Sequence, residues 1–87
     1  MKFLHSEAFL DAGDVAVVEL DGQANVLLMD DSNFASYRSG GSYRYHGGLA
    51  KYSPCRLVAP HTGHWNVVVD LGGYAGHVRA SVRFLRN

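Results

Sequence analysis

Apolar and polar residues alternate cleanly in two stretches of the C-terminal third. From His64 to Leu71, Trp65, Val67, Val69 and Leu71 share one side of an extended backbone, with His64, Asn66, Val68 and Asp70 opposite. From His77 to Phe84, Val78, Ala80, Val82 and Phe84 face one way, and His77, Arg79, Ser81 and Arg83 the other. Strand side chains alternate with period two, so the pattern predicts two strands, each with one wall on a core. The intervening glycine-rich stretch predicts a hairpin turn. The apolar positions are odd-numbered in the first strand and even-numbered in the second, so they share a face only if the loop has even length, Gly72-Gly73 or Gly72 to Ala75. With the longer loop, Asp70 lies opposite His77, Val68 opposite Arg79 and His64 opposite Arg83, which makes the outer face a polar lattice.

Upstream, a short apolar stretch around Phe3 and Leu4 predicts an edge strand. Asp14 to Leu20 is dense in valine, and Asp21-Gly22 after it tolerates the positive φ angles of a tight turn, so Ala24 to Met29 is expected to return as its hairpin partner. Both faces of this pair are apolar, which places it at the centre of the fold. Asp30 to Arg38 breaks the period of two. Asp31 or Ser32 is suited to cap a short helix, Phe34 and Tyr37 fall on one of its faces, Arg38 suits its C-terminal dipole, and Gly40 suits a left-handed cap. A short strand at Tyr43 to His46, a Gly47-Gly48 bend and a strand from Cys55 to Ala59 complete the series. About seven strands and one helical turn, with no alternating helices, predict an all-β fold, an antiparallel β-sandwich forming one domain over residues 1–87.

Composition narrows the function classes. The single cysteine, Cys55, excludes an internal disulfide and a multi-cysteine zinc site and suits a reducing compartment, so the cytoplasm is the expected location. His5 and Glu7 interrupt any secretory leader in the first ten residues, and no apolar run reaches the roughly 20 residues of a membrane span. Eight basic residues balance eight acidic ones, but unevenly: seven acids fall within the first 31 residues, while from Ser32 onward seven Lys or Arg face only Asp70. That asymmetry becomes spatial only if the two parts of the chain occupy different surfaces.

Candidate chemistry begins with five histidines, His5, His46, His61, His64 and His77. None forms the His-x-His pair that puts two ligands on one side of a strand, so no metal ligand set and no cofactor is expected. The enzymatic alternative is a small metal-assisted hydrolase in which His61, His64, His77 and Asp70 converge across the turn at Thr62-Gly63. Cys55 matches no thiol-enzyme signature, no Gly-x-Ser-x-Gly elbow occurs, and the paired glycines fit neither dinucleotide nor P-loop spacing. The segment Tyr37 to Tyr52 is more suggestive, with four tyrosines, two arginines, a lysine, a histidine and no acid. Such a mix stacks on rings while contacting phosphates or sugar hydroxyls, and it also suits ordinary core and rim packing.

The strings DDSNFASYRSGG, YRYHGG and PHTGHWNVVVDLGG, with the closing valine-rich strand, resemble the bacterial DUF1883 family, short all-β proteins of unknown function. The resemblance runs from about Phe3 to Leu85. It implies a sandwich fold, bacterial origin and, because some relatives carry the module beside a Toll/interleukin-receptor-like signalling domain, a sensing or docking role; it assigns no catalytic residues. The resulting expectation is a non-enzymatic ligand-binding or protein-interaction module, a monomer or weak homodimer. Its expected binding residues are Tyr45, His46, His64, Asn66, Asp70, His77, Arg79 and Arg83. Its expected ligand is an anionic small molecule, a glycan or a protein partner, with no clear nucleic-acid signature and no membrane association.

Overall fold

The computed structural model describes residues 3–70 and 78–86. Among these residues, seven strands and one helix follow in the order β1 (Phe3–Leu10), β2 (Val15–Leu20), β3 (Ala24–Asp30), α1 (Asp31–Ser39), β4 (His46–Ala50), β5 (Cys55–Val58), β6 (Gly63–Asp70) and β7 (Ala80–Leu85). They form two antiparallel sheets, one of four strands in the order β1-β6-β3-β4 and one of three in the order β5-β2-β7. The all-β sandwich expected from the alternation is therefore the observed architecture.

Neither predicted hairpin pairing occurs among the described residues, and the turn expected at Gly72 to Ala75 lies outside them. β6 and β7 lie in different sheets, as do β2 and β3. Alternation fixes which side chains share a face, but two strands looking at each other across a sandwich produce the same pattern as two strands paired side by side. Trp65, Val67 and Val69 of β6 meet Ala80, Val82 and Phe84 of β7 through a common core that also holds Leu10, Ala16, Val18, Val26 and Leu28. The turn at Asp21-Gly22 crosses between the sheets. There the Asp21 carboxylate accepts the Arg79 amide at 2.6 Å, while the Asp21 amide donates to the Arg79 carbonyl at 3.1 Å.

β3 is apolar on both faces because both are covered. Val26 and Leu28 enter the inter-sheet core, whereas Leu27 and Met29 point outward under α1 and form a second core with Phe34, Tyr37 and Val68. The helix is capped by Asp30, one residue earlier than expected; Asp30 has extended backbone angles and its carboxylate accepts the Asn33 amide at 2.9 Å. Gly40 closes the helix in the left-handed conformation anticipated for it. Phe34 is stacked on His5 at 4.1 Å between ring centroids, and the Arg38 guanidinium lies over its ring at 5.6 Å.

The strand expected at Tyr43 to His46 instead begins at His46, and Gly47-Gly48 lies inside it rather than forming a bend. Gly47 has φ of +115°, and a Cβ there would overlap the Val26 carbonyl oxygen. A glycine at this point lets the β4 backbone close on β3. Residues 43–45 are thereby left outside the sheet, beside the start of α1.

Candidate functional site

The strands bring two polar regions together around the junction of β3 and α1. The first lies on the outer face of the four-stranded sheet. Register places Glu7 of β1 beside Asn66 of β6, and Phe9 beside His64. Asn66 is a buried hub, 1% exposed. Its amide nitrogen donates to Asp31 Oδ1 at 2.8 Å and to the Met29 carbonyl at 3.3 Å, and its oxygen accepts from His5 Nε2 at 2.8 Å. His64 Nδ1 lies 2.7 Å from the same Asp31 oxygen, and its Nε2 lies 3.6 Å from Glu7. Carboxylates at both ring nitrogens favour the imidazolium, in which both nitrogens carry protons. The Asp31 hydrogen bond accordingly raises the His64 pKa above its ordinary value, and the Asn66 and His64 bonds hold the Asp31 carboxyl below its own. The cluster ties the first turn of α1 to β1 and β6.

The second region is a groove of about 580 Å³ around the corner of the same junction. Trp65 forms its floor, flanked by His61 at 4.8 Å and His46 at 5.9 Å between ring centroids. Tyr43, Arg44 and Tyr45 form one wall, and Asp30 and Asn33 belong to the capped start of α1. The wall is fixed to the helix because the Arg44 amide donates to Asn33 Oδ1 at 2.7 Å. Tyr43 continues inward, packed edge-on against the buried Tyr37 at 5.1 Å and tilted on Tyr45 at 5.7 Å. The indole nitrogen of Trp65 donates to the His61 carbonyl at 3.0 Å.

The expected polar lattice is divided by this topology. Tyr45 and His46 line the groove; His64 and Asn66 belong to the outer-face cluster; Asp70, at the far end of β6, accepts the Tyr37 hydroxyl. Burial, reinforced by that bond, pushes the Tyr37 phenol well above its usual range. Arg79 sits beside the Asp21 turn, and Arg83 lies 3.8 Å from Glu19 on the outer face of the three-stranded sheet, across the sandwich from His64. His77 lies outside the described residues.

The hydrolase grouping also comes apart. His64 and Asp70 are six residues apart on one strand, roughly 20 Å at about 3.3 Å per residue. His61 packs tilted against Trp65 instead, at 4.8 Å between ring centroids. Among the described residues no three His, Cys, Asp or Glu side chains are disposed to hold a metal ion. Cys55 is half-buried, and burial pushes its thiol above the ordinary range, away from nucleophilic readiness. No helix among the described residues is long and apolar enough to cross a membrane.

Several contributors escape sequence reasoning. His5 and Glu7 reach the cluster through the pairing of β1 with β6, distant in sequence, and Asp31 reaches it from the first turn of α1. Asp30 and Asn33 fall in the segment read only as a short helix, and Trp65 reads as core. The signal for Arg44 is the acid-free Tyr37–Tyr52 segment, whose Tyr43, Arg44, Tyr45 and His46 line the groove. A search of curated proteins finds no match to the chain, and a search of solved structures finds none. A family model, described as a domain of unknown function, DUF1883, matches residues 1–87, the full length of the sequence. The chain thus belongs to the DUF1883 family.

Proposed function

We propose that this domain is a non-enzymatic ligand-binding module whose site is the groove floored by Trp65. The observation that carries the reading is the groove itself, whose 580 Å³ is within the range of small-molecule sites, roughly 300–1,000 Å³. Its walls combine ring faces with polar groups drawn from three separate parts of the chain. Elsewhere in the domain, burial raises the Cys55 thiol away from nucleophilic readiness, and the His64 ring nitrogens face Asp31 and Glu7, which favours recognition over turnover. A small-molecule sensor acting as one domain over residues 1–87 in the bacterial cytoplasm fits these features, with a partly buried Cys55 kept reduced there.

The experiment is a two-dimensional amide NMR screen of the labelled protein against a small-molecule library. The reading expects at least one compound to shift the amides of Arg44, Tyr45, His46, His61 and Trp65 together. Binders that shift only the outer face of the three-stranded sheet, around Arg56 and Arg83, would overturn it.

A further inference from the structure

We infer that the groove takes an aromatic ring carrying an anionic group, the chemistry of a mononucleotide, with Arg44 anchoring the anion; this inference rests on the groove being a binding site. Hydrogen-bonding capacity in the lining distinguishes this ligand from a neutral sugar. The acceptors are largely committed within the protein. Asp30 Oδ1 receives the Asn33 amide at 2.9 Å, the Asn33 side-chain nitrogen at 2.9 Å and the Ser32 hydroxyl at 3.3 Å. Asn33 Oδ1 receives the Arg44 amide, and the His61 carbonyl receives the Trp65 indole.

The donors are left over. No described carboxylate lies within ion-pair distance of the Arg44 guanidinium, which is exposed at the groove wall. The Tyr45 hydroxyl and the His46 imidazole add further donor capacity, while the His61 Nδ1 hydrogen is directed at the Thr62 carbonyl at 3.2 Å. A sugar hydroxyl donates as well as accepts, and Asp30 Oδ1, Asn33 Oδ1 and the His61 carbonyl, which it would call on, already receive bonds from within the protein. A phosphate or carboxylate only accepts, and a guanidinium presents the matching fork of donors.

The rest of the lining specifies the ligand's body. Tyr45 is 47% exposed, and the His46 and His61 rings are exposed on either side of the Trp65 floor. Flat, partly apolar walls suit a planar ring, which stacks on aromatic side chains without requiring a particular base. Asp30, the one carboxylate in the lining, does not oppose the anion strongly, because its charge is directed onto the amides that open α1.

The test compares four probes by calorimetry and amide NMR: adenosine monophosphate, adenosine, inorganic phosphate and a neutral disaccharide. Each is titrated into the unmodified protein, Arg44→Ala and Tyr45→Ala. Arg44 contacts the helix through its backbone amide, so Arg44→Ala keeps that anchor. Adenosine monophosphate is expected to bind most tightly, with Arg44→Ala weakening it about tenfold or more while leaving adenosine unchanged. Tyr45→Ala is expected to weaken both nucleoside probes. Disaccharide binding that shifts groove amides and ignores Arg44→Ala would overturn the ligand class while leaving the groove as a site. Nucleotide binding with shifts confined to other surfaces would overturn the groove itself. No binding by any probe at millimolar concentration would overturn the ligand class, with the library screen still deciding the groove.

Discussion

Replacing Asn66 by aspartate changes one NH2 group to oxygen at the centre of the outer-face cluster, with almost no change in shape. The acceptor used by His5 is preserved, but both donations, to Asp31 and to the Met29 carbonyl, are lost. A hydrogen bond to a charged group contributes about 1.5–3 kcal/mol and a neutral one about 0.5–1.5, so Asn66→Asp is expected to cost roughly 2–4 kcal/mol at neutral pH. That is a large share of the roughly 5–15 kcal/mol that holds a typical domain folded. The loss must also depend on pH. The new carboxylate sits where the amide nitrogen was, 2.8 Å from Asp31 Oδ1, so in the folded state its pKa is raised above its unfolded value of about 3.9. A group raised in this way contributes little penalty below the unfolded pKa, an increasing one as pH rises toward the folded pKa, and a constant one above it. Urea unfolding of both proteins at about pH 4.5 and pH 7.5 reads the difference directly, with the smaller loss expected at the acidic value. A loss below about 0.5 kcal/mol at neutral pH, or an equal loss at both values, would refute the hub described for Asn66.

Three further outcomes follow from the same geometry. Phe34→Ala removes the ring that contacts His5 and Arg38 and is expected to cost about 3 kcal/mol, with hydrogen-exchange protection lost from α1 while β6 stays protected. His64 should titrate above the ordinary value of about 6.5 by NMR, and Asp31→Asn should lower that midpoint. Since the folded pKa is the raised one, the stabilisation from His64 is complete below the unfolded pKa and disappears as pH rises through the folded pKa; an unmoved midpoint in Asp31→Asn would contradict the pairing. Gly47→Ala, at a positive φ and against the Val26 carbonyl, should cost at least about 1–3 kcal/mol and expose the β4 amides to exchange, whereas Gly48→Ala, with open space at its Cβ, should pay for its own positive φ alone.

The faces of the strands were legible in sequence and their partners were not. Trp65, Val67, Val69, Ala80, Val82 and Phe84 all point to the core as their alternation predicts. The hairpins failed because valine-rich strands ending in Asp-Gly or Gly-Gly pair equally well with a neighbour or with a strand elsewhere in the chain. Local chemistry placed α1 to within a residue, since cap, buried pair and terminal glycine lie within one short segment. The groove was half visible: Tyr45 and His46 stood out by composition, while Trp65, His61 and Asp30 reach it through strand order alone. The same long-range pairing hid His5 and Glu7, whose roles depend on β1 lying against β6.

Trp65 is the only tryptophan in the chain, and it floors the proposed site, so its fluorescence reports groove occupancy without any label. Titrating adenosine monophosphate with selective tryptophan excitation should give a saturable change in emission that is lost in Arg44→Ala. Calorimetric binding with no change in Trp65 emission would place the ligand elsewhere and contradict the account.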